Sequence, residues 1–116
     1  MTQYHEPFEV LKGKTRDITR ALLSLKEEVE AVDWYNQRVD ATEDPELKEI
    51  LAHNRDEEIE HAVMTIEWLR RNMDGWDEEL RTYLFTEGSL LEIEEGAEGE
   101  ESQGEGSSGL NIGDLK

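Results

Sequence analysis

The chain has 116 residues, no cysteine and a formal net charge of −18; 36% of its residues are charged and 35% are hydrophobic. This length suits one small domain, and the lack of cysteine excludes disulfides, thiolate zinc sites and iron–sulfur clusters. The acidic balance argues against a nucleic-acid partner, no apolar run is long enough for a membrane span, and the N-terminus lacks a signal-peptide pattern. We therefore expect a cytoplasmic protein whose charge suits solubility or cation binding.

Two long helices are predicted, from about residue 7 to 40 and from about residue 45 to 74. Apolar residues of the first recur at helical spacings of three and four, as in Ile18, Leu22, Leu25, Val29 and Val32. Asp44 can cap the second helix, Pro45 fits its first position, and Gly75 can cap its end. The short loop between the helices predicts an antiparallel hairpin.

The chain changes character after the hairpin. A short third helix is predicted from about residue 76 to 85. Residues 94–109 are rich in Glu, Gly and Ser, cannot bury a core, and predict a flexible acidic linker. Residues 110–116 are typical of a short docking peptide. The predicted organisation is a helical domain at 1–93, a linker at 94–109 and a terminal peptide at 110–116.

The helices have more apolar surface than two long elements and one short one can bury by themselves. The sequence therefore predicts an all-α fold in which the hairpin and its short C-terminal helix associate with a second copy. The simplest product is a four-helix bundle formed by a twofold dimer.

Polar residues interrupt the apolar face of both helices. Glu28 lies on the first, and the second carries Asn54, Glu58, His61 and Thr65 at spacings of four and three. Buried unpaired polar groups are costly, so a repeated pattern of this kind indicates a use. Glu28 and Glu58 lie at about equal distances from the turn, and His61 is one turn beyond Glu58 on the same face.

These residues make half of a di-metal ligand set, in which two helices each supply a Glu and two others each supply a Glu-x-x-His pair. Two copies would give four carboxylates and two imidazoles, which suits iron or manganese. Asn54 and Thr65 are either donors to the ligands or tolerated polar residues. The opposing interpretation is a chance Glu-x-x-His pair in an acidic helix, whose polar face only sets the register of an adaptor.

The stretches EEVEAVDWY at 27–35, NRDEEIEHA at 54–62 and EWLRRN at 67–72 strongly resemble the encapsulated ferritins, and the match extends over about residues 7–88. The resemblance implies a ferritin-like bundle completed by homodimerisation. It implies a ferroxidase that oxidises Fe(II) to Fe(III) with dioxygen at a di-iron centre shared between two chains. Its metal ligands would be Glu28, Glu58 and His61 of both chains.

The resemblance also places Tyr35 near the centre as a catalytic residue, although the residues alone favour an amphipathic core tyrosine. It assigns Glu27 and Glu30 to an outer site on the access path, where calcium or another divalent cation can bind; without it, a solvated charged face is an equal explanation.

Assembly is implied as well. Dimers of this family build an open ring, commonly a decamer, which relies on an encapsulin nanocompartment to store the iron mineral. Residues 110–116 resemble the encapsulin-targeting pattern Leu-x-Ile-Gly-Ser-Leu, with Asp114 in place of Ser. The expected location is thus inside an encapsulin shell in the cytoplasm.

Two other functions compete with this one. A rubrerythrin-like or manganese-using di-metal protein would reduce peroxide, which a comparison of dioxygen with peroxide as oxidant distinguishes. A non-enzymatic helical adaptor or cargo protein would bind no stoichiometric ferrous iron.

Overall fold

The computed structural model describes residues 4–104. A 3-10 turn at Phe8–Val10 precedes four helices: α1 at Gly13–Ala41, α2 at Pro45–Asn72, α3 at Trp76–Tyr83 and α4 at Leu90–Gly104. Within these described residues there is no strand, and the predicted all-α fold is confirmed. None of the helices in this part of the chain has the length and apolar character needed to cross a membrane.

The first helix begins six residues later than the sequence predicts. Gly13 is its first residue, and Lys12 before it is extended. A glycine inside a helix costs about 1 kcal/mol relative to alanine, which favours a helix start at this position. The preceding segment is held by Arg16, whose guanidinium lies over the Phe8 ring and donates to the Phe8 carbonyl.

The turn between α1 and α2 has the predicted chemistry. The Asp44 carboxylate accepts from the Leu47 backbone N–H at 2.9 Å, and the Asp44 N–H donates to the Thr42 hydroxyl at 3.2 Å. Pro45 is the first residue of α2. A side-chain N-cap of this kind contributes about 1 kcal/mol and fixes where α2 starts.

α1 and α2 pack against each other as a hairpin, but the chain buries very little. In the described residues only Ala62 and Leu69 count as a buried apolar core. Large apolar side chains that stay exposed on the hairpin include Leu22, Val29, Trp34, Ile59, Val63 and Met64. These are surfaces of the kind that a second copy is predicted to cover.

The end of α2 differs from the prediction. The helix stops at Asn72, whereas Gly75 stands at the N-cap of α3 with φ +102°. The Asn72 amide donates to the Trp68 carbonyl at 2.9 Å and accepts from Lys14 Nζ at 2.8 Å. An asparagine that bonds to nearby backbone in this way competes with continuation of the helix. The prediction that Gly75 caps α2 is therefore wrong.

The described residues divide into two compact units after Asn72, so the predicted domain 1–93 spans the hairpin and part of the second unit. In that second unit α3 contacts α4, and partial burial together with the carboxylates of Glu94 and Glu79 raises the pKa of Tyr83. Phe85 is in the chain segment that joins α3 to α4. Its backbone φ is +62°, and the residue is 97% exposed.

The predicted flexible linker begins at residue 94, but the structure has a helix across residues 94–104. Ser89 accepts from the Glu92 N–H at 3.3 Å, which supports the first turn of α4. Leucine and glutamate dominate that turn, and their high helix propensity continues the helix past Gly96 despite the cost of a glycine. Residues 105–109 and the predicted docking peptide at 110–116 lie outside the described residues.

Candidate metal centre

Glu28 lies in the middle of α1, half-buried against α2. The Thr65 hydroxyl donates to Glu28 Oε1 at 3.0 Å. The same hydroxyl lies 3.1 Å from the backbone carbonyl of His61, one turn earlier on α2. Glu28 therefore reaches across the hairpin to the part of α2 that carries the predicted imidazole ligand.

Glu58 and His61 stand three residues apart on one face of α2. His61 Nδ1 is 3.6 Å from Glu58 Oε1, and their side chains are 44% and 28% exposed. This separation exceeds the usual 2.7–3.2 Å range of an N–H···O hydrogen bond. The two groups are therefore near enough to bind one cation together without being locked to each other.

An open groove of about 420 Å³ runs along the hairpin beside these residues. We call it the seam groove, and its lining includes Ser24, Glu28, His61, Met64, Thr65 and Trp68. Arg20 also lines it, and its guanidinium pairs with Asp17 at 2.7 Å. Of the three predicted ligands, Glu28 and His61 thus share one groove, while Glu58 lies beside His61 outside the lining.

Side-chain tilt accounts for the contact of Glu28 with Thr65, which lies two turns beyond Glu58 on α2. A helical side chain leans towards the N-terminus of its own helix, by about one residue position. In an antiparallel hairpin this lean points away from the turn on α1 and towards the turn on α2. The backbones of Glu28 and Glu58 can therefore lie at equal distances from the turn while their carboxylates lie at different distances from it.

In the part of the chain that the structure describes, no group of three or more His, Asp or Glu side chains is arranged to hold a metal ion. The predicted centre draws its donors from two copies of the chain. The donor chemistry fits the predicted metals, because carboxylate oxygen and imidazole nitrogen suit iron and manganese. Glu28 and Glu58 form no ion pair with lysine or arginine among residues 4–104, so their negative charge is not neutralised by a fixed side-chain cation.

The remaining predicted residues lie around this region. Tyr35 is half-buried on α1, two turns after Glu28, and the Arg38 guanidinium lies 5.3 Å from the centre of its ring. Glu27 and Glu30 are exposed on α1 on either side of Glu28 and Val29. The structure brings none of these three into the lining of the seam groove, and their assigned roles stay predictions.

Sequence reasoning missed two features of the site. It placed Thr65 on the same face of α2 as His61 and Trp68 but gave it no partner, and it did not include Ser24. Helical spacing could have found Ser24, because it lies one turn before Glu28. The partner of Thr65 depends on side-chain tilt across the hairpin, which spacing within one helix does not contain.

Known proteins are similar to this chain over most of its length. The EncFtn-like family matches residues 3–87. A ferritin-like protein of Thermotoga maritima is 65% identical over 97 residues, which cover 84% of this chain and 85% of the relative. An encapsulated ferritin-like protein of Rhodospirillum rubrum is 59% identical over an alignment that covers 97% of this chain and 86% of the relative.

A solved structure supports the same conclusion about the fold. The crystal structure of a protein from Nitrosomonas europaea is similar with a TM-score of 0.73 and 57% sequence identity, over 77% of this chain and 99% of the other. The resemblance noted in the sequence is thereby confirmed, and the chain belongs to the EncFtn-like family.

Proposed function

We propose that this protein is a ferroxidase, which oxidises Fe(II) to Fe(III) with dioxygen at a centre that two copies of the chain build together. One observation carries the proposal: Glu28 and His61 line one open groove, Glu58 lies 3.6 Å from His61, and no fixed cation neutralises the two carboxylates in the described chain. Family membership supports an iron-related, ferritin-like role.

The second copy supplies the donors that one chain lacks. The exposed apolar side chains of α1 and α2 give two hairpins a reason to associate, because their burial contributes about 25 cal/mol for each Å² removed from water. Pairing about a twofold axis doubles every ligand. In this arrangement Glu28 of both copies would be shared by a pair of iron ions, and Glu58 and His61 of each copy would supply the further ligands.

The reaction needs little from the protein beyond binding and charge. Two ferrous ions release two electrons, which reduce one dioxygen to hydrogen peroxide with the uptake of two protons. Carboxylate ligands favour the ferric product, because their attraction to the metal grows with its charge. Tyr35 acts close to the centre, and Glu27 and Glu30 attract ferrous, calcium or other divalent cations on the access path.

The family relationship also supports a proposal for the assembly. We propose that the dimers form a ring, commonly a decamer in this family, inside an encapsulin shell that stores the oxidised iron. The relative from Rhodospirillum rubrum is described as encapsulated, and residues 110–116 carry the pattern Leu-Asn-Ile-Gly-Asp-Leu of a shell-binding peptide. Residues 94–109 connect that peptide to the hairpin.

Native mass spectrometry with anaerobic Fe(II) tests the shared centre. The expected result is an even-numbered oligomer that takes up two iron ions for each pair of chains and oxidises them when dioxygen is admitted. A monomer that oxidises iron would contradict the proposal, as would an oligomer that ignores iron. Faster oxidation by peroxide than by dioxygen would favour the peroxide-reducing alternative.

Deletion of residues 110–116 tests the shell partner separately. The truncated protein should keep the same number of chains in its oligomer and the same ferroxidase rate, because the predicted ligands all lie in α1 and α2. Co-expression with an encapsulin shell protein should then give shells without this cargo. Retention of the truncated chain in purified shells would contradict the proposed role of residues 110–116 in shell binding.

A further inference from the structure

The hydroxyl of Thr65 has one proton and two acceptors within reach. Glu28 Oε1 lies 3.0 Å away and the His61 backbone carbonyl 3.1 Å away. The distance to Glu28 is at the upper end of the usual range for O–H···O hydrogen bonds and the distance to the carbonyl is just beyond it, so neither acceptor holds the proton in a short bond. Threonine is suited to such a choice, since in helices its side chain divides between two rotamers according to whether it bonds a carbonyl of the preceding turn.

We propose that Thr65 is a positioning residue for Glu28. Its hydroxyl holds the carboxylate at the wall of the seam groove in the metal-free protein. It releases the carboxylate at little cost when a metal ion binds, because its proton then turns to the His61 carbonyl. The release of Glu28 on metal binding deepens the proposed function and rests on it.

The hydrogen bonds remain satisfied in both arrangements. When Thr65 donates to Glu28, the His61 carbonyl keeps its place in the backbone ladder of α2. When Glu28 turns towards a metal ion, Thr65 donates to that carbonyl, so no donor is left without an acceptor. A buried donor without a partner would cost about 1–3 kcal/mol, and this exchange avoids that cost.

The bond also leaves the carboxylate able to bind a cation. Thr65 is the side chain that hydrogen-bonds Glu28 in the described chain, and it contacts Oε1. Because a hydroxyl carries no charge, the carboxylate keeps its full negative charge and offers its second oxygen to the groove. An arginine at position 65 would instead neutralise Glu28 and occupy both oxygens.

Thr65→Val and Thr65→Ser are the matched test, because valine keeps the shape without the hydroxyl and serine keeps the hydroxyl. Crystal structures of the metal-free proteins should show Glu28 in one position in the wild type and the serine variant, and in several positions in the valine variant. Anaerobic calorimetric titration with Fe(II) should show weaker binding for the valine variant by about tenfold or more, as for other partners of metal ligands.

The two proposals fail in different ways. A wild-type protein that binds no Fe(II) defeats the proposed function, while the metal-free crystal structures still decide whether Thr65 positions Glu28. An unchanged Glu28 position with wild-type iron binding in the valine variant would overturn the inference, and so would a serine variant that behaves like valine. Should the valine variant fail to assemble, Thr65→Ala takes its place in both measurements.

Discussion

The carboxylates beside the seam groove and those on the outer faces of the helices have different neighbours. In the described chain, Glu28 contacts the Thr65 hydroxyl and Glu58 contacts the His61 imidazole. On the outer faces, Glu67 accepts from Arg70 at 2.8 Å and from Arg71 at 2.6 Å. Asp17 and Asp77 likewise pair with arginines, at 2.7 and 2.9 Å.

This difference separates carboxylates that are paired with arginines from carboxylates that are available to bind a metal ion. Hydrogen bonds from Arg70 and then Arg71 lower the pKa of Glu67 to about 2, so its charge is already satisfied by fixed cations. A metal ion could bind there only by breaking those pairs. Glu28 contacts a neutral hydroxyl and Glu58 an imidazole, and Arg20, which also lines the groove, is paired with Asp17. The charge of the two glutamates is therefore left for a mobile cation. In a chain of net charge −18, the neighbours of a carboxylate therefore indicate a candidate metal ligand better than its charge alone does.

Replacement of Glu28 should have the largest effect on iron binding. Glu28→Gln keeps the size of the side chain and removes the charge on which a bridging ligand depends. We expect paired iron binding to fall by more than about 100-fold, since even partners outside the ligand set cost 10–100-fold. Anaerobic Fe(II) titration and stopped-flow oxidation measure this. Glu67→Gln is the matched control, because it removes the same charge from the outer face and should leave iron binding unchanged.

Replacement of His61 should have a smaller effect. His61→Ala removes one donor from each iron position and leaves Glu28 and Glu58 in place. We expect binding at one or both positions to weaken by about 100-fold, the upper end of the effects of ligand partners, with the number of chains in the oligomer unchanged. Equal weakening in His53→Ala, an exposed histidine of the same helix, would show that the effect is not specific to the groove.

The hairpin was predictable from sequence because its signals are local. Spacings of three and four define each helix, and the Asp44–Pro45 pair defines the turn between them. The polar face of α2 was visible for the same reason. What could not be read locally is the reach of Glu28 to Thr65, since it depends on opposite side-chain tilts in two antiparallel helices.

Composition misled the prediction after the hairpin. The composition of residues 94–109 alone predicts a linker, because the Ser89 cap and the leucines that start α4 lie before this stretch and do not enter its average. The end of α2 was assigned to a glycine, although the side chain of Asn72 bonds to the preceding turn. The proposed centre takes half of its ligands from a second copy of the chain, so the spacing within one chain indicates only half of that centre.

The smallest expected effect belongs to the outer-face carboxylate and is one of stability. Since the folded pKa of Glu67, about 2, lies below its ordinary value of 4.5, its ion pairs stabilise the fold above pH 4.5 and lose that effect as the pH falls towards 2. Glu67→Gln should therefore lower the thermal midpoint at neutral pH by about 2 °C or less, as expected of exposed ion pairs. The difference in thermal midpoint between the variant and the wild type should decrease as the pH falls from 4.5 to 2. If the difference in thermal midpoint widened on acidification, Glu67 would not be stabilised by its arginines. The contrast between outer-face and groove carboxylates would then be wrong for the outer face.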